Sequence, residues 1–127
     1  MRGILSIFYL KEERIMNTYL VNLTPHDVDI CDSYGRIVKT YRASGKVARV
    51  CNNYENIGYI QGIPLLGRKN DEIVDLPAPR EGFLYIVSNV VLESCKDRTD
   101  LVAPAQQVKI NGRTIGCMAF VGNKRKG

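Results

Sequence analysis

The sequence predicts a mainly β domain, a small barrel or sandwich of antiparallel strands with one short helix. Three observations carry this expectation. Apolar residues recur with period two along most of the chain, as in His26-Asp27-Val28-Asp29-Ile30-Cys31, and that alternation marks a strand with one buried face. Turn residues interrupt the apolar runs at short intervals, notably Asp32-Ser33-Tyr34-Gly35 and Asn111-Gly112; the first suits an open chain reversal and the second is the preferred pair for a tight hairpin. Only residues 89–95 have the composition for one or two helical turns, with Ser88 or Asn89 ahead of them as a cap.

Thr18-Tyr19-Leu20-Val21-Asn22-Leu23 reads as the first strand, and Thr24-Pro25 ends it because proline cannot donate to a ladder. Residues 26–31 form a second strand, which the turn at 32–35 returns into a third over residues 36–41. Ala43-Ser44-Gly45-Lys46 is a turn, Val47-Ala48-Arg49-Val50-Cys51 a short strand, and residues 52–56 a polar loop. Residues 57–60 and 63–66, on either side of Gly62, read as edge or bulged strands, and Gly67-Arg68-Lys69-Asn70-Asp71 as a hairpin tip before a strand over 72–76. Pro77-Ala78-Pro79 is a stiff extended link. Phe83-Leu84-Tyr85-Ile86-Val87-Ser88 is the most apolar stretch and is expected in the centre of a sheet. Residues 96–104 form a polar loop, and residues 107–121 the clearest hairpin, turning at Asn111-Gly112.

A chain of 127 residues predicts one domain, here residues 16–121. Residues 1–15 are expected to be a non-native or disordered extension: Lys11-Glu12-Glu13-Arg14-Ile15-Met16 is what a purine-rich ribosome-binding site would encode, which makes Met16 the expected start. The apolar stretch from Ile4 to Leu10, interrupted by Ser6, is short for a signal-peptide core and lacks a cleavage site after it. Residues 122–127 are expected to be a basic flexible tail. Of the formal net charge of +5, the tail carries three and residues 1–15 carry one, leaving about +1 on the body. So even a distribution argues against nucleic acid as a partner, which calls for a dense basic face. No window approaches the 18 apolar residues of a membrane span. Cys31, Cys51, Cys95 and Cys117 are irregularly spaced with no C-x-x-C pair, so reduced, buried thiols in a cytoplasmic protein are expected. With His26 the only histidine, neither a metal nor another cofactor is expected.

Asn22-Leu23-Thr24-Pro25-His26-Asp27-Val28 resembles the opening motif of a family of small uncharacterised phage and actinobacterial proteins. The similarity continues through Ser44-Gly45-x-Val47-Ala48-Arg49-Val50, Gly62-Ile63-Pro64, Leu76-Pro77, Tyr85-Ile86-Val87-Ser88, Arg98-x-Asp100-Leu101-x-x-Pro104 and Asn111-Gly112-Arg113-x-Ile115-Gly116, spanning about residues 19–121. The resemblance implies a phage-type protein and no particular activity.

The polar residues of these motifs, Asn22, Thr24, His26, Arg49, Ser88, Arg98 and Asp100, lie at strand ends and in loops, where they can converge at one mouth of a barrel. Guanidinium forks suit phosphate, and Phe83 and Tyr85 offer rings on which a base can stack. These nine residues are the candidate ligand-binding set. Each also has a local reading. His26 can bond a backbone carbonyl, Thr24 and Ser88 can cap or turn, and Arg98 can pair with Asp100 to shape its own loop. Ser88, His26 and Asp100 can be drawn as a triad, and His26, Asp27, Asp29 and Asp32 as a metal site, but spacing alone supports neither. There is no G-x-S-x-G elbow and no phosphate loop. The sequence therefore favours a non-enzymatic, homo-oligomeric protein that binds a small nucleotide-like anion, such as a phage anti-defence protein sequestering a cyclic nucleotide or ADP-ribose signal. The alternatives are an enzyme cleaving such a nucleotide, with His26 as acid or base, and a small structural or virion protein.

Overall fold

The computed structural model describes residues 18–124; the expectations for residues 1–15 and for the tail beyond Lys124 lie outside it. The chain is mainly β with one short helix. Its strands are β1 (Tyr19–Asn22), β2 (Val28–Cys31), β3 (Ile37–Tyr41), β4 (Arg49–Cys51), β5 (Tyr54–Ile60), β6 (Ile63–Arg68), β7 (Glu72–Val74), β8 (Phe83–Ile86), β9 (Leu101–Ile110) and β10 (Arg113–Gly122), with α1 (Asn89–Ser94) between β8 and β9.

Six strands form one sheet in the order β1-β8-β9-β10-β2-β3. The expected hairpins are its antiparallel parts: β2 with β3, and β9 with β10. At the second, Asn111 and Gly112 take φ values of +53° and +77°, both left-handed as a type I′ turn requires. Three pairings are parallel, β1 with β8, β8 with β9, and β10 with β2. A parallel neighbour needs a long crossover, and the stretch carrying α1 supplies it between β8 and β9. Pro104 is accepted within β9 because the pairing with β8 covers only Leu101 and Val102, so its missing N–H leaves no gap.

The two ribbons outside this sheet differ from the sequence expectation. The chain reverses at Gln61-Gly62, with φ of +50° and +80°, so β5 and β6 form one hairpin. Gly67 to Asp71 is not a hairpin tip: β6 runs through Arg68, and β7 leaves to pair with β4. Residues 54–56, read as loop, belong to β5. Glutamine gives no left-handed turn signal, whereas Gly67 followed by polar residues imitates one. The bulge expected here is present, between Asn56 and Gly58.

Alternation gives the main sheet two apolar faces. Val21, Tyr85, Val87, Leu101 and Ala103 pack under Val91 and Leu92 of α1 and beside Ala48, Val50 and Leu76. The other face carries Leu20, Val28, Ile30, Tyr41, Ile86, Val102, Cys117 and Phe120. On this second side the sheet is concave, since residues of both edge strands, Tyr19 and Leu20 of β1 and Lys39 and Tyr41 of β3, line one hollow. The edges meet at one point. Asn22 bridges Ala43, and Ser44 N donates to Asn22 O at 3.0 Å. The result is a curled sheet joined near the end of β1 and open elsewhere.

All four cysteines are free, with Cys31 and Cys117 buried. Burial, then the charges of Asp29 and its neighbours, pushes the Cys31 thiol pKa upward. No helix among the described residues is long and apolar enough to cross a membrane.

Candidate functional site

The Asn22 side chain is the knot of the first motif. It is 2 % exposed, and all its bonding capacity is used within its own loop and edge. Nδ2 donates to the carbonyls of His26 and Tyr41, both at 2.9 Å, while Oδ1 accepts from Thr24 N at 2.9 Å. The Thr24 hydroxyl, with one proton, lies 2.6 Å from Asn22 Oδ1 and 2.9 Å from the His26 carbonyl. Asparagine fits because it alone offers two donors and an acceptor on so short a stem. The proline at position 25 brings no N–H that would need a partner in this turn. Asn22 and Thr24 thereby fasten β1 to the start of β2 and to β3; the His26 ring stays exposed at the surface.

Arg98 and Asp100 pair with each other. Arg98 Nε donates to Asp100 Oδ1 at 2.8 Å and Nη2 to Oδ2 at 2.7 Å, and Nη2 also reaches the Pro77 carbonyl at 2.8 Å. That hydrogen-bonded carboxylate raises the pKa of Arg98. The fork ties the loop before β9 to the Pro77-Ala78-Pro79 link. Ser88 is the N-cap of α1, its Oγ accepting from Val91 N at 3.3 Å. The other end of the helix is closed from a distance: Asn123 Nδ2 lies 2.9–3.2 Å from the carbonyls of Leu92, Cys95 and Arg98. Tyr85 is buried in the core, and Phe83 stacks beside it with ring centroids 6.5 Å apart while the Arg80 guanidinium lies 4.4 Å above the Phe83 ring. Arg49 is exposed on β4, opposite Val74. The nine residues therefore occupy four places: the Asn22 loop, the Arg98 loop, the covered face of the sheet with the helix cap, and the β4 ribbon. None of them lines the concave hollow. Among the described residues, no three His, Cys, Asp or Glu side chains cluster as metal ligands would.

The hollow is a cavity of about 600 Å³ on the concave face, within the size range of small-molecule sites. Leu20, Leu84 and Val102 form its floor from β1, β8 and β9. The rings of Tyr41 and Phe120, 6.0 Å apart and inclined at 60°, form one wall; Tyr19 also lines the hollow, its ring 5.5 Å from that of Phe83. Among the described residues the hollow's one charged side chain is Lys39, whose Nζ sits 5.1 Å from the Tyr41 ring centroid. Such an arrangement takes a flat apolar group against the rings and a negative group at the ammonium. A second hollow, about 710 Å³ between Asn53, Tyr54, Glu55, Lys69 and Asn70, is lined only by exposed residues. A third, beside Asp27, Asp29 and Gln107, holds only about 140 Å³.

Tyr19, Lys39, Tyr41 and Phe120 escaped the sequence reading. The available signal was Lys39 at two residues from Tyr41 on one strand, which places a lysine on the face of an inward ring. That face becomes a cavity wall only because β1 comes round to meet β3. No protein family, no curated protein and no solved structure matches the chain.

Proposed function

We propose that the chain is a non-enzymatic binding protein for a small anionic ligand with a planar ring, of the nucleotide class, held on the concave face of the sheet. The observation that carries this is one cavity in which two aromatic rings, an apolar floor and, among the described residues, a single lysine face the same space. A base or comparable ring packs against Tyr41 and Phe120, and a phosphate oxygen is neutralised by Lys39. One ammonium suits a ligand whose negative charge is small or spread, as in a cyclic nucleotide; an ADP-ribose derivative is the larger candidate. Sequestration is favoured over cleavage because Asn22, Thr24, Ser88, Arg98 and Asp100 are engaged in local bonds, and His26, the acid or base of the cleavage reading, does not line the cavity. A phage anti-defence role as a sponge for a nucleotide signal is the biological form of this proposal, and it rests on the resemblance of the Asn22-Leu23-Thr24-Pro25-His26 motif.

Isothermal titration of the full chain against cyclic nucleotides, AMP and ADP-ribose tests the reading. Saturable binding is expected, with the ligand recovered chemically intact after the protein is heated. Silence across that panel removes the proposal, and a new product in the supernatant replaces sequestration by catalysis.

A further inference from the structure

The β5–β6 hairpin is an arm without a floor. Neither strand belongs to the main sheet, and none of its residues joins either core cluster. No residue from Tyr54 to Arg68 is buried, although the segment is rich in large apolar side chains. Seven of them are 38–69 % exposed. A lone two-stranded hairpin is marginal in water, and contiguous apolar surface of this kind marks an interaction site.

The register sorts these side chains. Ile60 pairs with Ile63, and Leu65 lies opposite Gly58 two residues further along. Ile57, in the bulge, leans across Gly67, where an added Cβ would come within 3.0 Å of it. Ile57, Ile60, Ile63 and Leu65 thus form one aliphatic stripe, with open space over Gly58, where an added Cβ would meet nothing within 4 Å. Tyr59 and Leu66 lie on the other side.

We infer that this arm is clasped by a second copy of the same chain, which covers both its faces. Two features select a copy of itself. Residues 54–68 hold one acidic and one basic group, Glu55 and Arg68, so two arms meet without net like-charge repulsion despite the chain's +5. The area is also of the right size. At roughly 200 Å² for a whole exposed apolar residue, the seven present about 790 Å², close to the ~800 Å² each partner gives a standard interface. That figure includes the Tyr59 and Leu66 side, so the partner covers both faces of the arm.

Light scattering coupled to size exclusion on the full chain at micromolar concentration tests the inference. A mass at least twice the 14.3 kDa of one chain is expected. The pair Ile60→Thr with Ile63→Thr keeps β-branched residues in the hairpin and is expected to weaken self-association at least tenfold, with an unchanged far-ultraviolet spectrum. Leu65→Lys is the second variant, should the first fail to fold, and is expected to do the same. A monomeric parent protein overturns the inference, as does an oligomer that both folded variants leave intact. Neither substitution touches the concave cavity, so ligand titration of the monomeric variant separates failure of the interface from failure of the proposed site.

Discussion

Arg98 and Asp100 form a two-bond fork, Nε to Oδ1 at 2.8 Å and Nη2 to Oδ2 at 2.7 Å, with both side chains about four-fifths buried. The same guanidinium reaches the Pro77 carbonyl, so it fastens two loops at once. Arg98→Met is expected to lower stability by about 2–3 kcal/mol, since it strands a partly buried carboxylate and a carbonyl. Arg98→Lys is expected to recover only part of this, because an ammonium cannot reproduce the planar fork. Urea denaturation of the two variants checks the order.

Asn22 makes its bonds with no access to water to replace them. Asn22→Ala is expected to cost about 3 kcal/mol, because the His26 and Tyr41 carbonyls and the Thr24 N–H all lose a partner. Asn22→Asp is expected to be worse despite its similar shape: it turns two donors into acceptors that face two carbonyls. Thermal unfolding measured at neutral pH distinguishes them, and an aspartate variant as stable as the parent contradicts the arrangement.

Gly116 and Gly112 lie four residues apart on the β9–β10 hairpin and are expected to respond differently to alanine. A Cβ at Gly116 would sit 2.5 Å from Cys31 Sγ and 2.7 Å from the Asp29 carbonyl, so β10 and β2 must separate; a loss of about 1–3 kcal/mol is expected. Gly112 has open space but φ of +77°, and a loss of about 1 kcal/mol is expected from the turn alone. Hydrogen exchange tells the two apart: only Gly116→Ala should loosen the amides of β2.

Asp32 holds the β2–β3 turn. Its pKa lies below the ordinary carboxylate value, chiefly through the backbone N–H of Arg36, against an opposing effect of burial, and further through the Tyr34 N–H and the Arg36 guanidinium. A depressed folded pKa contributes stability that is present above the unfolded pKa and fades as pH falls through the folded one. The parent protein is therefore expected to lose stability on acidification below the usual aspartate range, and Asp32→Asn to show a shallower decline. Parallel unfolding curves over an acid pH series are the check; equal slopes refute the assignment.

The cavity makes a separate demand. Lys39→Gln and Tyr41→Ala are each expected to weaken nucleotide binding at least tenfold, about 1.4 kcal/mol, and the lysine variant is also expected to lose most of the salt dependence. Arg49→Ala is expected to bind as the parent does. The opposite pattern, loss with Arg49 alone, moves the ligand to the β4 ribbon.

Much of the local structure was legible in the residues. Period-two alternation located β2, the turn at 32–35 announced β3, the apolar run at 83–88 located β8, Asn111-Gly112 announced its hairpin, and Ser88 announced α1, because each depends only on neighbours a few positions away. The local bonds of Thr24, Ser88 and the Arg98–Asp100 pair were also foreseeable, as these partners lie within three residues; the bond from Arg98 to the Pro77 carbonyl, 21 residues away, was not. The Gln61-Gly62 reversal was not, since glutamine carries no left-handed preference and only the pairing of Ile60 with Ile63 imposes it.

Most strands, the turns at Asp32 and Asn111 and the alternation of side chains between two faces follow from backbone sterics and short-range hydrogen bonding, and so could be read from the residues alone. That β1 lies beside β8 while its end meets the chain after β3 is a property of the folded sheet as a whole. That long-range closure gathers Tyr19, Lys39, Tyr41 and Phe120 around one cavity and leaves the β5–β6 arm outside. Which strands become neighbours depends on burial summed over the whole sheet, and no single stretch of residues records that sum.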